Sequence, residues 1–313
     1  MASANANLYK AKDAKNDEFY TQLTDVAKEL MHYKAHLKDK IVLCNCDDPT
    51  WSAFWKYFHL NFTELGLKKL ISTHYDKEEV TYKMEYTGGC DNDIEVGVKT
   101  PLEDNGDFRN KECLDLLDEC DIVVTNPPFS LFREYVAILM EHQKKFLIIG
   151  NKNAITYKEF FPLLKDDKVW IGCTNVKEFL QPDGSIKKFG NIGWFTNLDV
   201  AKRHEKLILW KNYTSEEYPK YNNYDAINVD KVSKIPCDYD GIMGIPISFL
   251  DNHCSDQFEI IWQASGNTRA CCPHAILYDE LHYVQHSEDR GGCGIINGKR
   301  VYSRILIRKK TGT

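Results

Sequence analysis

The chain has 313 residues, of which 43% are hydrophobic and 27% are charged, and this composition excludes an intrinsically disordered protein. No apolar run approaches the ~18 residues of a membrane span, and the N-terminal segment lacks the apolar stretch of a signal peptide, so we expect a cytoplasmic protein without membrane contact. The net charge of -6 argues against nucleic acid as a partner, because phosphate binding requires Lys and Arg, although the distribution of charge carries more weight than its sum.

The first part of the chain alternates helical and strand patterns. Apolar residues at helical spacing predict a helix over Asp17–Lys38. The short apolar run Lys40–Cys46 predicts a strand buried on both faces, as strands of parallel sheets are. Thr50 or Ser52 can cap the helix that follows, and Lys68–Tyr75 is the second predicted strand.

The pattern then changes to alternation. Val80–Thr100 alternates apolar and polar residues and predicts an inserted hairpin. The helical pattern resumes at Cys113–Leu117 and leads into a third buried strand at Asp121–Thr125. Leu131–His142 is amphipathic and helical, and Lys145–Gly150 is the fourth buried strand.

Strands separated by helices predict an α/β fold with a doubly wound, mostly parallel sheet, the Rossmann-like architecture. Ligands of such sheets bind at the carboxyl ends of the strands, near the point where the strand order reverses. The segments that follow the predicted strands are Asp47–Pro49, His74–Asp76 and Asn126–Phe129.

The pattern weakens after about residue 200. Three strands are predicted here, with Gly and Pro residues marking the turns around them. They are Gly241–Phe249, Gln257–Trp262 and Arg300–Arg308. We therefore predict a catalytic domain over residues 1–200 and a smaller, strand-containing target-recognition region over residues 201–313.

The eleven cysteines lack the C-x-x-C spacing of a zinc site. Cys271, Cys272 and His274 are the one weak alternative for a structural metal. In a reducing cytosol we expect free thiols and no bound metal.

The last predicted strand lies in a basic segment. Tyr302, Arg304, Leu306 and Arg308 alternate onto one face of that strand. A solvated basic tail and a phosphate-facing strand are equally consistent with this pattern. The cations of the segment, with no acid among them, are Lys299, Arg300, Arg304, Arg308, Lys309 and Lys310.

The turn Asn126-Pro127-Pro128-Phe129 is the most informative segment. Neither proline has an N–H to donate, so the buried strand ends there, and proline drives the preceding residue to extended backbone angles. The rigid turn holds the Asn126 amide oxygen and a backbone carbonyl facing one way, where two acceptors can bind both hydrogens of a planar amine. Phe129 offers an apolar face to a flat ring. An ordinary Asn-Pro turn is the structural alternative.

This tetrapeptide is similar to the catalytic motif of class I amino methyltransferases, and the surrounding DIVVTNPPFSLFREY resembles the EcoRI-type adenine-specific DNA methyltransferases. The resemblance covers most of the chain and is weakest between about residues 80 and 104. Further blocks that resemble the family are DEFYT (Asp17–Thr21), CNCDDP (Cys44–Pro49), LGLKKLISTHY (Leu65–Tyr75), NGDF (Asn105–Phe108), LIIGNKNAITYKE (Leu147–Glu159), NIGWFTNL (Asn191–Leu198) and the closing YSRILIRKK.

The resemblance implies S-adenosylmethionine as the cofactor. Carboxylates after the first strand suit its ammonium group, although acids are also favoured at a helix N-terminus. The glycine-rich turn typical of the family's first block is absent, and Thr73 and Asp76 are alternative ribose contacts. The residues expected to bind the cofactor are Thr21, Asn45, Asp47, Asp48, Thr73, Asp76, Asp107 and Phe108.

The resemblance also implies the reaction, methyl transfer to the exocyclic 6-amino group of an adenine within a specific sequence of double-stranded DNA. Asn126 and the Pro127 carbonyl would accept hydrogen bonds from the amine, and Phe129 would stack on the base. Because the amine is inaccessible in a duplex, the base would be flipped out. Further residues expected to contact the substrate are Pro128, Trp194, Phe195, Lys202, Arg203, Arg304 and Arg308.

A bacterial or phage-encoded enzyme follows from the same resemblance, with a monomeric state and a cognate restriction endonuclease for the same site as expectations by analogy. Two other classes stay open. One is a methyltransferase for an RNA base or a protein glutamine amide, because this turn serves several amines. The other is a non-catalytic nucleic-acid-binding protein. A nucleotide-binding dehydrogenase is disfavoured because no G-x-G-x-x-G follows a strand.

Overall fold

The computed structural model describes residues 20–76, 80–180 and 185–310. The chain divides into two compact units, the first comprising Met1–Lys152 and Ile171–Asp199 and the second comprising Asn153–Trp170 and Val200–Thr313. The predicted division into functional domains at residue 200 stays a prediction. Within the described ranges, every helix is too short or too polar to traverse a lipid bilayer.

The first unit contains a nine-stranded sheet. Its strands are β1 (Tyr20–Thr21), β2 (Ile41–Cys44), β3 (Lys69–His74), β4 (Tyr82–Tyr86), β5 (Val98–Pro101), β6 (Ile122–Thr125), β7 (Lys145–Asn151), β8 (Trp170–Leu180) and β9 (Ile186–Thr196). The order across the sheet is β1-β8-β9-β7-β6-β2-β3-β4-β5. The four central strands β7, β6, β2 and β3 run parallel, so the predicted doubly wound α/β class is confirmed.

Buried strands explain why the sequence reads as continuous apolar runs. Val42, Leu43 and Cys44 are fully enclosed, as are Val123 and Val124 in the neighbouring strand, because helices cover both faces of a parallel sheet. The helices of this unit are α1 (Leu23–Leu30), α2 (Lys34–Leu37), α3 (Ala53–Leu60), α4 (Phe62–Leu65), α5 (Lys111–Glu119) and α6 (Phe132–Glu141).

Two of the elements predicted from the sequence have different bounds in the structure of this unit, so those two predictions are wrong in detail. The single helix predicted over residues 17–38 is two helices, and Tyr20–Thr21 instead form strand β1, because their backbone pairs with Leu180 and Phe179; the part before residue 20 lies outside the described residues. The second arm of the predicted hairpin begins only at Val98. Ile94 lies in a loop, because its carbonyl accepts a hydrogen bond of 2.9 Å from the Trp55 indole of α3.

The second unit has its own sheet. Its elements are α7 (Phe161–Lys165), β10 (Ile227–Asn228), β11 (Met243–Pro246), β12 (Phe258–Ala264), α8 (Thr268–Cys271), β13 (Ile295–Ile296), β14 (Lys299–Arg300) and β15 (Arg304–Lys309). The strand order is β10-β11-β15-β12, and α7 packs on this sheet through Phe161, whose ring centroid lies 5.2 Å from that of Trp262.

The predicted strand over residues 300–308 is in fact two strands. β13 and β14 form a hairpin with a two-residue turn at Asn297-Gly298, where both residues have positive φ, as a type I′ turn requires. The amide groups of Gly298 and Ile295 donate to the side chains of Asn222 and Asn223 over 3.0 and 2.9 Å. Asn222 and Asn223 therefore hold this hairpin in place.

Candidate active site

The carboxyl ends of β2, β3 and β6 bring the predicted site segments together. From β2 the chain proceeds outward through β3, β4 and β5, and it then returns to β6 on the other side of β2. The strand order therefore reverses between β2 and β6, and sheets of this topology bind ligands in the crevice at that point. The turns after β2 and β6 form the centre of the candidate site.

The Asn126–Phe129 turn follows β6 directly. Pro128 has an extended backbone, and its carbonyl accepts a hydrogen bond of 2.9 Å from the Leu131 amide. Phe129 opens a short 3-10 helix, and its ring meets the edge of Phe179 with centroids 6.2 Å apart. Pro127 is buried, whereas Asn126, Pro128 and Phe129 are half-buried. The turn is thus embedded in the unit and still accessible in part.

Asp47 connects the two turns. One carboxylate oxygen accepts hydrogen bonds from the Thr125 hydroxyl and, over 3.2 Å, from the Asn126 backbone amide. The other accepts one of 3.0 Å from Ser52, whose hydroxyl also caps α3. Asp47 is only 4% exposed, and this burial raises the pKa of its carboxyl to about 7 against the opposing effect of the three hydrogen bonds.

Asp48, the next residue, contacts side chains of β3 and β4. One of its oxygens lies 2.7 Å from Nδ1 of His74. The second accepts from the Thr50 amide over 2.8 Å and from the Tyr82 hydroxyl over 3.1 Å. Burial, and then the neighbouring Asp48 carboxylate, raise the pKa of Tyr82 to about 12. Asp48 therefore ties the turn after β2 to the end of β3 and to β4.

Asn45 and Phe108 both contact Tyr135, Asn45 through the tyrosine hydroxyl and Phe108 through the ring. The Tyr135 hydroxyl donates to the Asn45 side-chain oxygen, and the Phe108 ring packs against the Tyr135 ring with centroids 4.9 Å apart. Both predicted cofactor residues are buried. Tyr135 on α6 thus holds the loop before α5 against the turn after β2.

The Asn105–Phe108 loop also lies against the end of β3. Gly106 has a φ of +73°, and a Cβ there would come within 2.4 Å of the His74 carbonyl, so only glycine fits this approach. The Asp76 amide donates to the Asn105 carbonyl over 3.3 Å. Asp107 forms a paired salt bridge with Arg109, with distances of 2.8 and 2.6 Å.

Two predicted cofactor residues carry buried hydroxyls that lack a partner within the described ranges. Thr73 is 1% exposed and Thr21 is 7% exposed, and among the described residues neither side-chain oxygen has a hydrogen-bond partner. A buried polar group without a partner is destabilising and calls for a ligand or solvent. Thr73 lies in β3 one residue before His74, and Thr21 pairs with Phe179.

Trp194 and Phe195, predicted to contact the target base, lie in the interior. Both are completely buried in β9. Trp194 packs edge-on against Phe54 at 5.9 Å, and Phe195 packs against Phe132 at 5.2 Å. These contacts are those of a hydrophobic core, and the predicted base contacts of these two residues stay a prediction.

The predicted DNA contacts Lys202, Arg203, Arg304 and Arg308 belong to the second unit. Arg203 forms an ion pair with Asp167 and lies over the Trp170 ring at 3.7 Å. Arg308 bridges Glu259 and Glu280 at 2.8 and 3.0 Å, and Arg304 donates to Asn228 over 3.3 Å. Arg203 and Arg308 are thus neutralised by carboxylates.

Sequence reasoning assigned no supporting role in the site to five residues that the structure places around it: Ser52, His74, Phe179, Thr125 and Tyr135. Thr125 and His74 adjoin the predicted residues Asn126 and Thr73 in the chain. Phe179 and Tyr135 reach the site only through the fold, so no spacing in the chain could have identified their roles. The turn after β2 adopts a glycine-like backbone angle without a glycine. Cys46, in the turn after β2, has a φ of +78°, a left-handed angle that costs a non-glycine residue about 1 kcal/mol.

The chain matches known proteins over nearly its whole length. A family model described as adenine-specific methyltransferase EcoRI matches residues 7–310. The chain is 44% identical to the Type II methyltransferase M.EcoRI of Escherichia coli, with 98% of each protein covered. It is 37% identical to the Type II methyltransferase M.MpnI of Mycoplasma pneumoniae, with 96% of the chain and 97% of the relative covered.

A third relative, the Type II methyltransferase M.MgeORF184P of Mycoplasma genitalium, is 35% identical over 96% of the chain and 98% of its own length. No solved structure gives a significant match. The family resemblance seen in the sequence is confirmed, and with it the prediction of an enzyme that uses a methyl donor. The chain belongs to the EcoRI family of adenine-specific methyltransferases.

Proposed function

We propose that the protein methylates the 6-amino group of adenine within a specific sequence of double-stranded DNA, with S-adenosylmethionine as the methyl donor. The observation that carries this proposal is the position of the Asn126–Phe129 turn. It follows β6 at the point where the strand order reverses, beside the turn after β2. Sheets of this kind bind their ligands in the crevice at this point.

The residues around the turn fit S-adenosylmethionine. The hydroxyls of Thr73 and Thr21, which have no hydrogen-bond partner among the described residues, offer hydrogen-bonding groups to a polar ligand. Asp76 and Asp107 lie at the end of β3 and in the adjoining loop, where carboxylates suit ribose hydroxyls and an adenine amine. When bound, the cofactor supplies a methyl group on a positively charged sulfur, which is a good leaving group.

Asn126 and Pro127 act on the adenine amine. The amine is a poor nucleophile, because its lone pair is delocalised into the ring. Hydrogen bonds from its two hydrogens to the Asn126 amide oxygen and the Pro127 carbonyl favour a pyramidal nitrogen with a localised lone pair. Positioning and this polarisation are the main catalytic effects of the chain, and no protein nucleophile takes part.

Phe129 is the aromatic residue of the turn itself, and it is partly accessible. A base that is flipped out of the duplex stacks on such a ring. The Phe179 ring packs at nearly a right angle to the Phe129 ring, with centroids 6.2 Å apart.

The second unit is the proposed DNA-recognition region. Lys299 and Arg300 of the β13–β14 hairpin are exposed, and none of the ion pairs in the described part of the chain involves them. They are better placed for phosphate than Arg308, which two glutamates hold. A cognate endonuclease and a monomeric state remain part of the proposal by analogy.

The experiment that tests the proposal measures methyl transfer from labelled S-adenosylmethionine to unmethylated genomic DNA, with RNA and a glutamine-containing peptide as parallel substrates. We expect 6-methyladenine confined to one short DNA motif, located by nucleoside analysis and sequence mapping. Transfer to RNA or peptide without transfer to DNA would overturn the proposed substrate.

A further inference from the structure

We propose that Asp47 is a positioning residue for methyl transfer, because its buried carboxylate holds the backbone of Asn126 and so orients the side chain that binds the amine. The inference rests on the proposed role of Asn126. It assigns Asp47 a task in catalysis instead of a direct contact with the ammonium group of the cofactor.

The contacts of Asp47 support this assignment. Both carboxylate oxygens are occupied by groups of the chain: one by Ser52 at 3.0 Å, the other by the Thr125 hydroxyl and, at 3.2 Å, by the Asn126 amide. The residue is 4% exposed. Three donors of the chain therefore hold the carboxylate, and its burial leaves little of it open to a cofactor ammonium group.

The location of these contacts determines their effect. Asn126 precedes Pro127, which has no amide hydrogen, so the Asn126 amide is the last backbone donor before the turn. Asp47 is the acceptor for that donor and for the adjacent Thr125 hydroxyl. A shift of about 1 Å in a catalytic group lowers rates by roughly a hundredfold. A weaker hydrogen bond between Asp47 and the Asn126 amide, which we call the Asp47 anchor, would therefore lower the rate of methyl transfer.

The hydrogens around Thr125 make the anchor sensitive to protonation. The Thr125 hydroxyl has one hydrogen, yet it lies within hydrogen-bonding distance of two acceptors, the Asn45 carbonyl and the Asp47 carboxylate. An ionised Asp47 accepts this hydrogen, whereas a protonated Asp47 would donate to the Thr125 hydroxyl and leave that hydrogen to the Asn45 carbonyl. The ionised carboxylate is the stronger acceptor for the Asn126 amide, so loss of the proton from Asp47 tightens the anchor.

The test compares Asp47→Asn with the unchanged enzyme in single-turnover methyl transfer to a duplex carrying the mapped site. Binding of S-adenosylhomocysteine, followed by tryptophan fluorescence, is measured in parallel. We expect the rate constant to fall by about 10- to 100-fold and the dissociation constant to change by less than about twofold. A large loss of binding with an unchanged rate constant at saturation would show that Asp47 is a cofactor ligand and overturn the inference.

The pH profile separates positioning from a general structural role. Burial raises the pKa of Asp47 to about 7, so the rate constant of the unchanged enzyme should rise with pH through that value and be flat in Asp47→Asn. The titratable groups around Asp47 are Asp48, Cys44, Cys46 and Tyr135, and burial raises the pKa of both thiols and of the phenol. His74 faces Asp48, so a rise that disappears in His74→Gln but persists in Asp47→Asn would contradict the inference.

A second pair of variants covers the case in which Asp47→Asn does not fold. Thr125→Ser keeps the hydroxyl that donates to Asp47, whereas Thr125→Val removes it at similar volume. We expect near-normal transfer by the serine variant and a reduced rate constant for the valine variant, with equal cofactor binding. Equal rate constants for the two would refute the inference, whereas absence of DNA methylation by the unchanged enzyme would refute the proposed function.

Discussion

The Asn126 amide group has the most direct role in the proposed reaction. We expect Asn126→Ala to lower methyl transfer by about 10²- to 10³-fold, the typical effect of removing one hydrogen-bonding group that acts in the transition state. Binding of S-adenosylhomocysteine should be retained, since Asn126 is assigned to the amine. Asn92→Ala, at an exposed position of the same unit, is the matched control. Near-normal transfer by Asn126→Ala would be incompatible with the mechanism.

The proposed role of Phe129, at the same turn, is to stack on the flipped base. We expect Phe129→Ala to reduce base flipping, because removal of the ring takes away the face on which the base stacks, an interaction of roughly 1–3 kcal/mol. The measurement is the fluorescence of 2-aminopurine at the target position of a duplex, which increases when the base leaves the stack. Phe129→Tyr keeps the aromatic face and should behave like the unchanged enzyme. Equal fluorescence for the alanine variant would exclude the stacking role.

Asp47 also affects stability in a pH-dependent way. Its pKa is about 7 in the folded protein and about 4 in an unfolded chain, so its contribution to the free energy of unfolding is fully present below pH 4 and is lost as pH rises through 7. We expect Asp47→Asn to be more stable relative to the unchanged protein at pH 8 than at pH 5. Urea unfolding at both values checks this, and a difference of opposite sign would mean that hydrogen bonding outweighs burial.

The position of β15 in the second sheet limits how the DNA-binding role of the basic C-terminal segment can be tested. β15 pairs with both β11 and β12, and Ile305, Leu306 and Ile307 are completely buried. Deletion of the basic C-terminal segment would therefore remove a central strand of the second sheet, and point variants are the better probe.

The β13–β14 hairpin provides those variants. Lys299→Ala together with Arg300→Ala should weaken DNA binding and reduce the slope of log affinity against log salt by about 2, roughly one for each phosphate that the protein no longer neutralises. The control is Lys234→Ala in the same unit, a cation that Glu217 already holds at 3.2 Å. Affinity is measured by fluorescence anisotropy over a range of salt concentrations. An unchanged slope would place the DNA-binding surface elsewhere.

The central strands could be predicted from the sequence because burial on both faces leaves a local signature. β2, β6 and β7 contain continuous apolar runs, and the Asn126 turn is marked by its two prolines. β1 could not be predicted, since two residues carry no periodicity and their partners, Leu180 and Phe179, are distant in sequence. The same limit hid the partners of Asp47, because Thr125 is 78 positions away.

At the scale of the whole molecule, net charge proved a poor guide to function. The formal charge of the protein is -6, yet the substrate that we propose for it, double-stranded DNA, is a polyanion. Ion pairs such as that of Arg203 with Asp167 neutralise part of the basic residues. Lys299 and Arg300 are exposed and take part in none of the ion pairs formed among the described residues. Burial and pairing, which require the fold, decide which charges a partner meets.

The pairing of β1 with β8 has a consequence for synthesis on the ribosome. Tyr20 and Thr21 are made early, but Leu180 and Phe179, with which they pair, follow only after a delay on the order of ten seconds at typical elongation rates. Phe179 is also the ring that contacts Phe129. A nascent chain therefore contains the proposed catalytic turn before the aromatic residue beside it exists. We expect translation products that end before β8 to lack activity even when their parallel strands have formed.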